Sequence, residues 1–176
     1  INVAAGTYRD AGVTFGGGGN EANVYVTDKV VTPGGAIVFQ GADSLANAPN
    51  YRVTGSNSGS ETAPYRYYGF YANGVLNVHV RGFQCDYFAK DGILYNNRSG
   101  GNPLNCVCDK NKRSGIFYST YSGGSPTTCQ ANANGTGAGT AWPQTGIFYT
   151  TYSSGSPTSC TTNNNGGMGI YVVNGS

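Results

Sequence analysis

One segment is written three times in this chain. Gly115–Cys129 reads GIFYSTYSGGSPTTC, Gly146–Cys160 reads GIFYTTYSSGSPTSC, and Gly92–Cys106 reads GILYNNRSGGNPLNC. In each copy Gly and Cys are fourteen positions apart. A fourth copy, GIYVVNGS, opens at Gly169, and GFYANG opens an earlier unit at Gly69. The repeat glycines are therefore Gly69, Gly92, Gly115, Gly146 and Gly169, evenly spaced except for one longer step, from Gly115 to Gly146. Self-similarity at such a period points to a stacked array, because one short unit cannot bury its apolar face alone. The longer step is an ordinary unit with an insertion. Ala131, Asn132 and Asn134 follow Cys129 as Cys108, Asp109 and Asn111 follow Cys106. The insertion therefore falls after Asn134, within 135–145.

Superposing the units gives columns. Ile93, Ile116, Ile147 and Ile170 form one, and Cys106, Cys129 and Cys160 another. Cys85, Cys108, Ala131 and Thr162 form a third, Asn111, Asn134 and Asn165 a fourth, and Asp86, Asp109, Asn132 and Asn163 a fifth. Short β-branched and aromatic runs between Gly, Asn and Ser clusters read as strands and turns. The expected fold is all-β: a single-stranded right-handed parallel β-helix, a solenoid of about 23 residues per coil. Residues 1–176 form one domain, with less regular coils over 1–68 and regular coils over 69–176. The length allows about seven such coils. Starting at Ile1 and ending inside a repeat, the sequence reads as a fragment of a longer chain, whose open end needs a cap, a further domain or a partner chain.

The opening INVAAGTY, the repeated N-x-x-x-G-I-[FY] and the asparagine column resemble the pectate-lyase-like right-handed parallel β-helix superfamily. The resemblance is best from Gly69 onward and is one of fold. It implies a secreted, cell-surface or virion protein, with asparagine ladders at its turns. It also implies a polysaccharide or cell-surface glycan as partner, touched by an enzyme, an adhesin or a tail spike. The Arg-containing and Asp-rich motifs of the superfamily's lyases are not found in this sequence.

Charge narrows the chemistry. The net charge of +2 is too small to imply nucleic acid as a partner. No apolar run approaches the ~20 residues that span a bilayer, so no membrane insertion is expected. After Arg113 the sequence carries no charged side chain. Acid, base or electrostatic catalysis thus belongs to residues 1–113 or to a partner chain. Five cysteines leave at least one thiol unpaired within the chain. Cys106 and Cys108 share a face of a strand, and buried free thiols are expected over strained in-register bridges.

The candidate catalytic pair is Asp86 and Asp109, one coil apart in one column and facing outward if the Cys columns face inward. Paired carboxylates cleave glycosidic bonds. The continuation of these residues as Asn132 and Asn163 favours a turn-stabilising ladder instead, and Lys90, Lys110, Lys112 and Arg113 could make the region a surface ion cluster. Two carboxylates alone give Ca²⁺ a thin oxygen shell, and no metal or other cofactor is expected. His79 and Arg81 share an outward face, where Arg could act as a lyase base; a lone His is more often structural. Trp142, in the insertion, offers a ring for a sugar or a cover for the stack. After each repeat Gly the phase is open. If Ile faces in, Leu94, Phe117, Phe148 and Tyr171 face out as a binding stripe; if Phe faces in, the Tyr column faces out.

Three functions remain. The first is a mainly non-catalytic extracellular module of a fibre, appendage, adhesin or tail spike that contacts glycans. The second is a secreted lyase or glycoside hydrolase acting on uronate-containing glycans. The third is a structural filament subunit. A homo-oligomer, trimeric or filamentous, suits the first and third.

Overall fold

A computed structural model describes residues 6–8, 22–27, 35–56, 66–136 and 144–173. Their strands are β1 (Gly6–Tyr8), β2 (Ala22–Thr27), β3 (Ile37–Gln40), β4 (Tyr51–Thr54), β5 (Tyr68–Asn73), β6 (Val78–Arg81), β7 (Gln84–Asp86), β8 (Asp91–Asn96), β9 (Ser114–Tyr118), β10 (Thr145–Thr150) and β11 (Ile170–Val173). A 3-10 segment, Leu45–Asn50, precedes β4. The protein is all-β, and its strands pair in parallel in three sheets, ordered β1-β4-β7, β11-β10-β9-β8-β5-β2 and β3-β6.

The chain visits these sheets cyclically. After β8, parallel bridges extend the two smaller sheets: Arg81, Leu104, Thr127 and Thr158 in one line, Gln84, Val107, Gln130 and Thr161 in the other. The pairing register is the sequence repeat, with Ile93, Ile116, Ile147 and Ile170 side by side. One early step differs. Val24 pairs with Phe70, far along the chain, because β3, the 3-10 segment and β4 intervene. The large sheet therefore holds six strands among the described residues, fewer than the number of coils that the length allows.

The repeat glycines are set by close approach. A Cβ at Gly115 would lie 2.7 Å from the Ala131 Cβ and 2.6 Å from the Cys108 carbonyl oxygen. Corners recur at fixed offsets in the left-handed region, at Asn97–Arg98, Thr120–Tyr121 and Thr151–Tyr152. Each costs about 1 kcal/mol at a non-glycine residue, so the surrounding ladders must hold it.

The core contains Ile93, Ile116 and Ile147 and, two residues on from each, Tyr95, Tyr118 and Tyr149, all fully buried. Their rings stack at 4.9 and 4.7 Å between centroids. The hydroxyls donate to the carbonyls of Val78, Gly101 and Gly124, so each phenol is buried with its polar end satisfied. Cys85, Cys106, Cys108 and Cys129 are buried and all five cysteines are free thiols. Asn111, Asn134 and Asn165 form a hydrogen-bonded ladder. The Asn134 Oδ1 accepts from the Asn111 backbone N–H (3.0 Å), and the Asn165 Oδ1 accepts from that of Asn134 (2.9 Å).

Ile therefore faces in, and Leu94, Phe117 and Phe148 lie on the other face of the large sheet. They do not meet solvent as the open stripe expected above. Their exposures are 4%, 4% and 2%, within a second apolar cluster with Tyr68 and Tyr71. Arg113 lies over the Phe117 ring at 4.7 Å.

Candidate functional site

The outer side of the β4-β7 sheet and its bridge extension carries the candidate site. The 3-10 segment packs against this side and forms a lip of Leu45, Ala46 and Pro49. Between lip and sheet lies a cleft of about 590 Å³, lined also by Gln84, Asp86, Val107, Asp109, Lys110 and Gln130. The structure thus brings Asp86 and Asp109 into one cleft. Alternation places both opposite the buried Cys85 and Cys108.

Facing away from the core has not left Asp86 open. It is 1% exposed, because the guanidinium of Arg52 covers it. The Arg52 Nε donates to both carboxylate oxygens, at 3.0 and 2.9 Å, and the Gln84 amide donates to Oδ2 at 2.5 Å. The expected cluster of Lys90, Lys110, Lys112 and Arg113 does not supply this partner. Arg113 instead pairs with Asp91, and the Lys110 ammonium donates to the Tyr87 hydroxyl at 3.3 Å.

Asp109 is half-buried. Its Oδ1 accepts the Asn132 backbone N–H at 2.6 Å, and its Oδ2 accepts from the Gln130 amide at 2.6 Å. Asn132 repeats the first contact, its Oδ1 accepting the Asn163 N–H at 2.6 Å. The column is thus a ladder of side-chain acceptors, broken only at Asp86, which turns to Arg52. Burial pushes the Asp109 carboxyl above the usual carboxylate range, against the opposing pull of its two donors and Lys110.

His79 and Arg81 lie on β6, in a different sheet from Asp86 on β7. The His79 Nδ1 accepts the Asn102 backbone N–H at 3.1 Å, and burial, with Arg81 beside it, lowers the affinity of the imidazole for a proton. Asn102 and Ser125 continue this line, accepting the N–H groups of Ser125 and Ser156. The ring is therefore the first acceptor of another ladder. Trp142 lies outside the described residues. Phe117 and Phe148 are buried and Tyr171 is partly exposed at the end of their column, away from the cleft.

Sequence reasoning missed Arg52, the Gln84 and Gln130 amides, and the lip. The glutamines had a signal: Gln84 and Gln130 each stand two positions before a member of the Asp/Asn column. Also missed was the exposed pair Tyr121 and Tyr152, stacked at 5.0 Å with Arg98 over Tyr121. Among the described residues no group of three or more His, Cys, Asp or Glu is placed to hold a metal ion. No described helix is long and apolar enough to cross a membrane. No family model, no curated protein and no solved structure matches this chain.

Proposed function

We propose that this chain is an extracellular right-handed parallel β-helix module that binds glycan through the Asp86–Asp109 cleft without cleaving it. The winding is supported by the cyclic order of the three sheets and by the strong right-handed preference of parallel connections. Placement outside the cell, on an appendage, adhesin or tail spike, follows from the resemblance to the pectate-lyase-like superfamily.

One observation carries the non-catalytic reading. All four carboxylate oxygens of Asp86 and Asp109 already accept hydrogen bonds from this chain. A general acid, base or nucleophile needs an oxygen that can reach substrate. These oxygens instead orient the side chains that line the cleft. Apolar Leu45, Pro49 and Val107 suit the faces of sugar rings, the Gln84 and Gln130 amides suit hydroxyls, and Lys110 suits an acidic group.

The raised affinity of Asp109 for a proton favours a second reading, in which it is the acid of a glycoside hydrolase. Titration with acidic and neutral oligosaccharides, followed for new reducing ends and ultraviolet-absorbing products, separates the two. The binding reading expects saturation without product, and Lys110→Ala weakening acidic ligands more than neutral ones. Steady release of either product would overturn it.

A further inference from the structure

One corner in the middle of the stack leaves apolar side chains open to water. Leu76 is 61% exposed and Tyr121 is 54% exposed. Neither lies at an end of the array. Leu76 adjoins β6, which pairs with β3, and Gly123, beside Tyr121, bridges both Gly100 and Ser154. Leu76 lies against Gly100, where a Cβ would stand 3.6 Å from its Cδ2. Tyr152 and Arg98 cover the two faces of the Tyr121 ring, at 5.0 and 5.8 Å, so its edge remains open. Apolar groups gathered on a polar surface mark something that covers them.

The same corner holds a chemical handle. The sequence contains three Asn-x-Ser/Thr triplets, the pattern that accepts N-linked glycans: Asn97-Arg98-Ser99, Asn134-Gly135-Thr136 and Asn174-Gly175-Ser176. The fold separates them. Asn134 is fully buried, its amide nitrogen donating to the Cys108 carbonyl at 2.9 Å and to the Asn165 Oδ1 at 3.1 Å. Asn174 lies outside the described residues. Asn97 is exposed, with φ +54° at the corner after β8. At the same offset Thr120 and Thr151 spend their hydroxyls on Ser119 and Thr150, at 3.2 and 3.5 Å. The Asn97 amide has no such partner among the described residues. The preceding coil offers only Gly74 there, where even a Cβ would stay 3.9 Å from the amide nitrogen. The amide is thus both uncovered and uncommitted.

We infer that Asn97 carries an N-linked glycan whose first sugars cover Leu76 and the open edge of Tyr121. In the transfer, the Asn97 Nδ2 bonds to the anomeric carbon of an oligosaccharide held on a polyprenyl diphosphate. The carbon–oxygen bond to the diphosphate breaks, the diphosphate leaves with the electron pair, and the amide proton passes to a base of the transferase. Ser99 is 1% exposed in the folded chain, its hydroxyl donating to the Asn96 carbonyl at 2.6 Å and accepting the Val75 N–H at 3.1 Å. The transferase needs that hydroxyl, so transfer precedes the closing of this coil. The inference rests on the extracellular placement proposed above and not on the Asp86–Asp109 cleft.

Secretion of the chain from a eukaryotic host, behind a leader that the host removes, tests this. The leader imposes the route, so the result judges the acceptor, while oligosaccharide titration judges the cleft separately. Peptide mass spectrometry should find a glycan on Asn97 and none on Asn134. An amidase specific for N-linked glycans should release it and leave a carboxylate at that position. Asn97→Gln and Ser99→Ala should each abolish the glycan, and Ser99→Thr, which keeps the hydroxyl, should retain it. Asn97→Gln leaves Ser99 in place and serves alone if circular dichroism shows Ser99→Ala unfolded. Nitration by tetranitromethane should be several-fold slower at Tyr121 in the glycosylated chain than in Asn97→Gln, with the exposed Tyr25 unchanged. A folded, secreted chain without a glycan on Asn97, or with one on Asn134, would overturn the inference. Equal nitration of Tyr121 with and without the glycan would do the same.

Discussion

Tyr118 stacks on Tyr149 with ring centroids 4.7 Å apart and planes 3° from parallel, and its hydroxyl donates to the Gly101 carbonyl at 2.9 Å. A fully buried phenol is tolerated only because that carbonyl waits for it in the preceding unit. Tyr118→Phe keeps the stack and orphans the carbonyl, so thermal unfolding should show a loss of about 1–2 kcal/mol. Tyr118→Ala should cost about 3–5 kcal/mol by adding a cavity. Tyr121→Phe, at a ring 54% exposed, should change stability by less than ~0.5 kcal/mol.

Asp109→Asn separates the ladder from the hydrolase. Burial raises the Asp109 pKa above its unfolded value, so the folded state holds the proton more tightly. Stability then falls as pH rises from the unfolded pKa through the folded one. Asparagine, already present at 132 and 163 in this column, keeps the acceptor for the Asn132 N–H and carries no charge, and its amide nitrogen takes the place of the oxygen that accepts from Gln130, whose amide must turn its own oxygen to meet it. The variant should be more stable than the parent at neutral pH and should lose the decline just above the usual carboxylate range. Denaturant titrations across that pH interval check this. A less stable variant would contradict the ladder role.

Cys160 should be the reactive thiol. It is half-buried at the end of the Cys106, Cys129 and Cys160 column, whereas the other four are buried. A hydrogen bond from Cys129 stabilises its thiolate and lowers its pKa to about 6. Alkylation with iodoacetamide at neutral pH should modify one thiol quickly and four slowly. The fast rate should drop as pH falls through about 6. Cys129→Ala removes the donor and should move that midpoint upward.

The register of the large sheet was legible because the sequence repeat is the pairing step: Ile93, Ile116 and Ile147 align in both. The phase was not. Ile-Phe-Tyr places apolar groups on both faces, and alternation cannot choose between two apolar faces. What chooses is the carbonyl at Gly101 or Gly124 that receives the tyrosine hydroxyl, a contact set by folding. The column of Asp86 and Asp109 was legible for the same reason as the register. The burial of Asp86 was not, because its cover comes from Arg52, in a part of the chain outside the repeat. The long step from Val24 to Phe70 hid that part from alignment.

Asp91 and Arg113 give the sharpest stability test. The Asp91 side chain is fully buried and that of Arg113 is 11% exposed. The Arg113 Nε donates to Asp91 Oδ1 at 2.8 Å and a second guanidinium nitrogen donates to Oδ2, while the Ser114 backbone N–H also reaches Oδ1 at 3.2 Å. Removing one partner leaves a charge in a site that water does not reach. Arg113→Met should therefore cost about 3–5 kcal/mol in chemical denaturation. Lysine cannot reproduce the two-pronged contact or lie flat over Phe117, so Arg113→Lys should recover only part of it. Asp91 pairs with Ser114, and Ser114 with Thr145, along one line across the sheet. A hydroxyl is thus the usual side chain at this position, and Asp91→Ser in the Arg113→Met background should regain most of the loss. If the double variant is as unstable as the single one, the guanidinium acts through its packing on Phe117 rather than through the carboxylate.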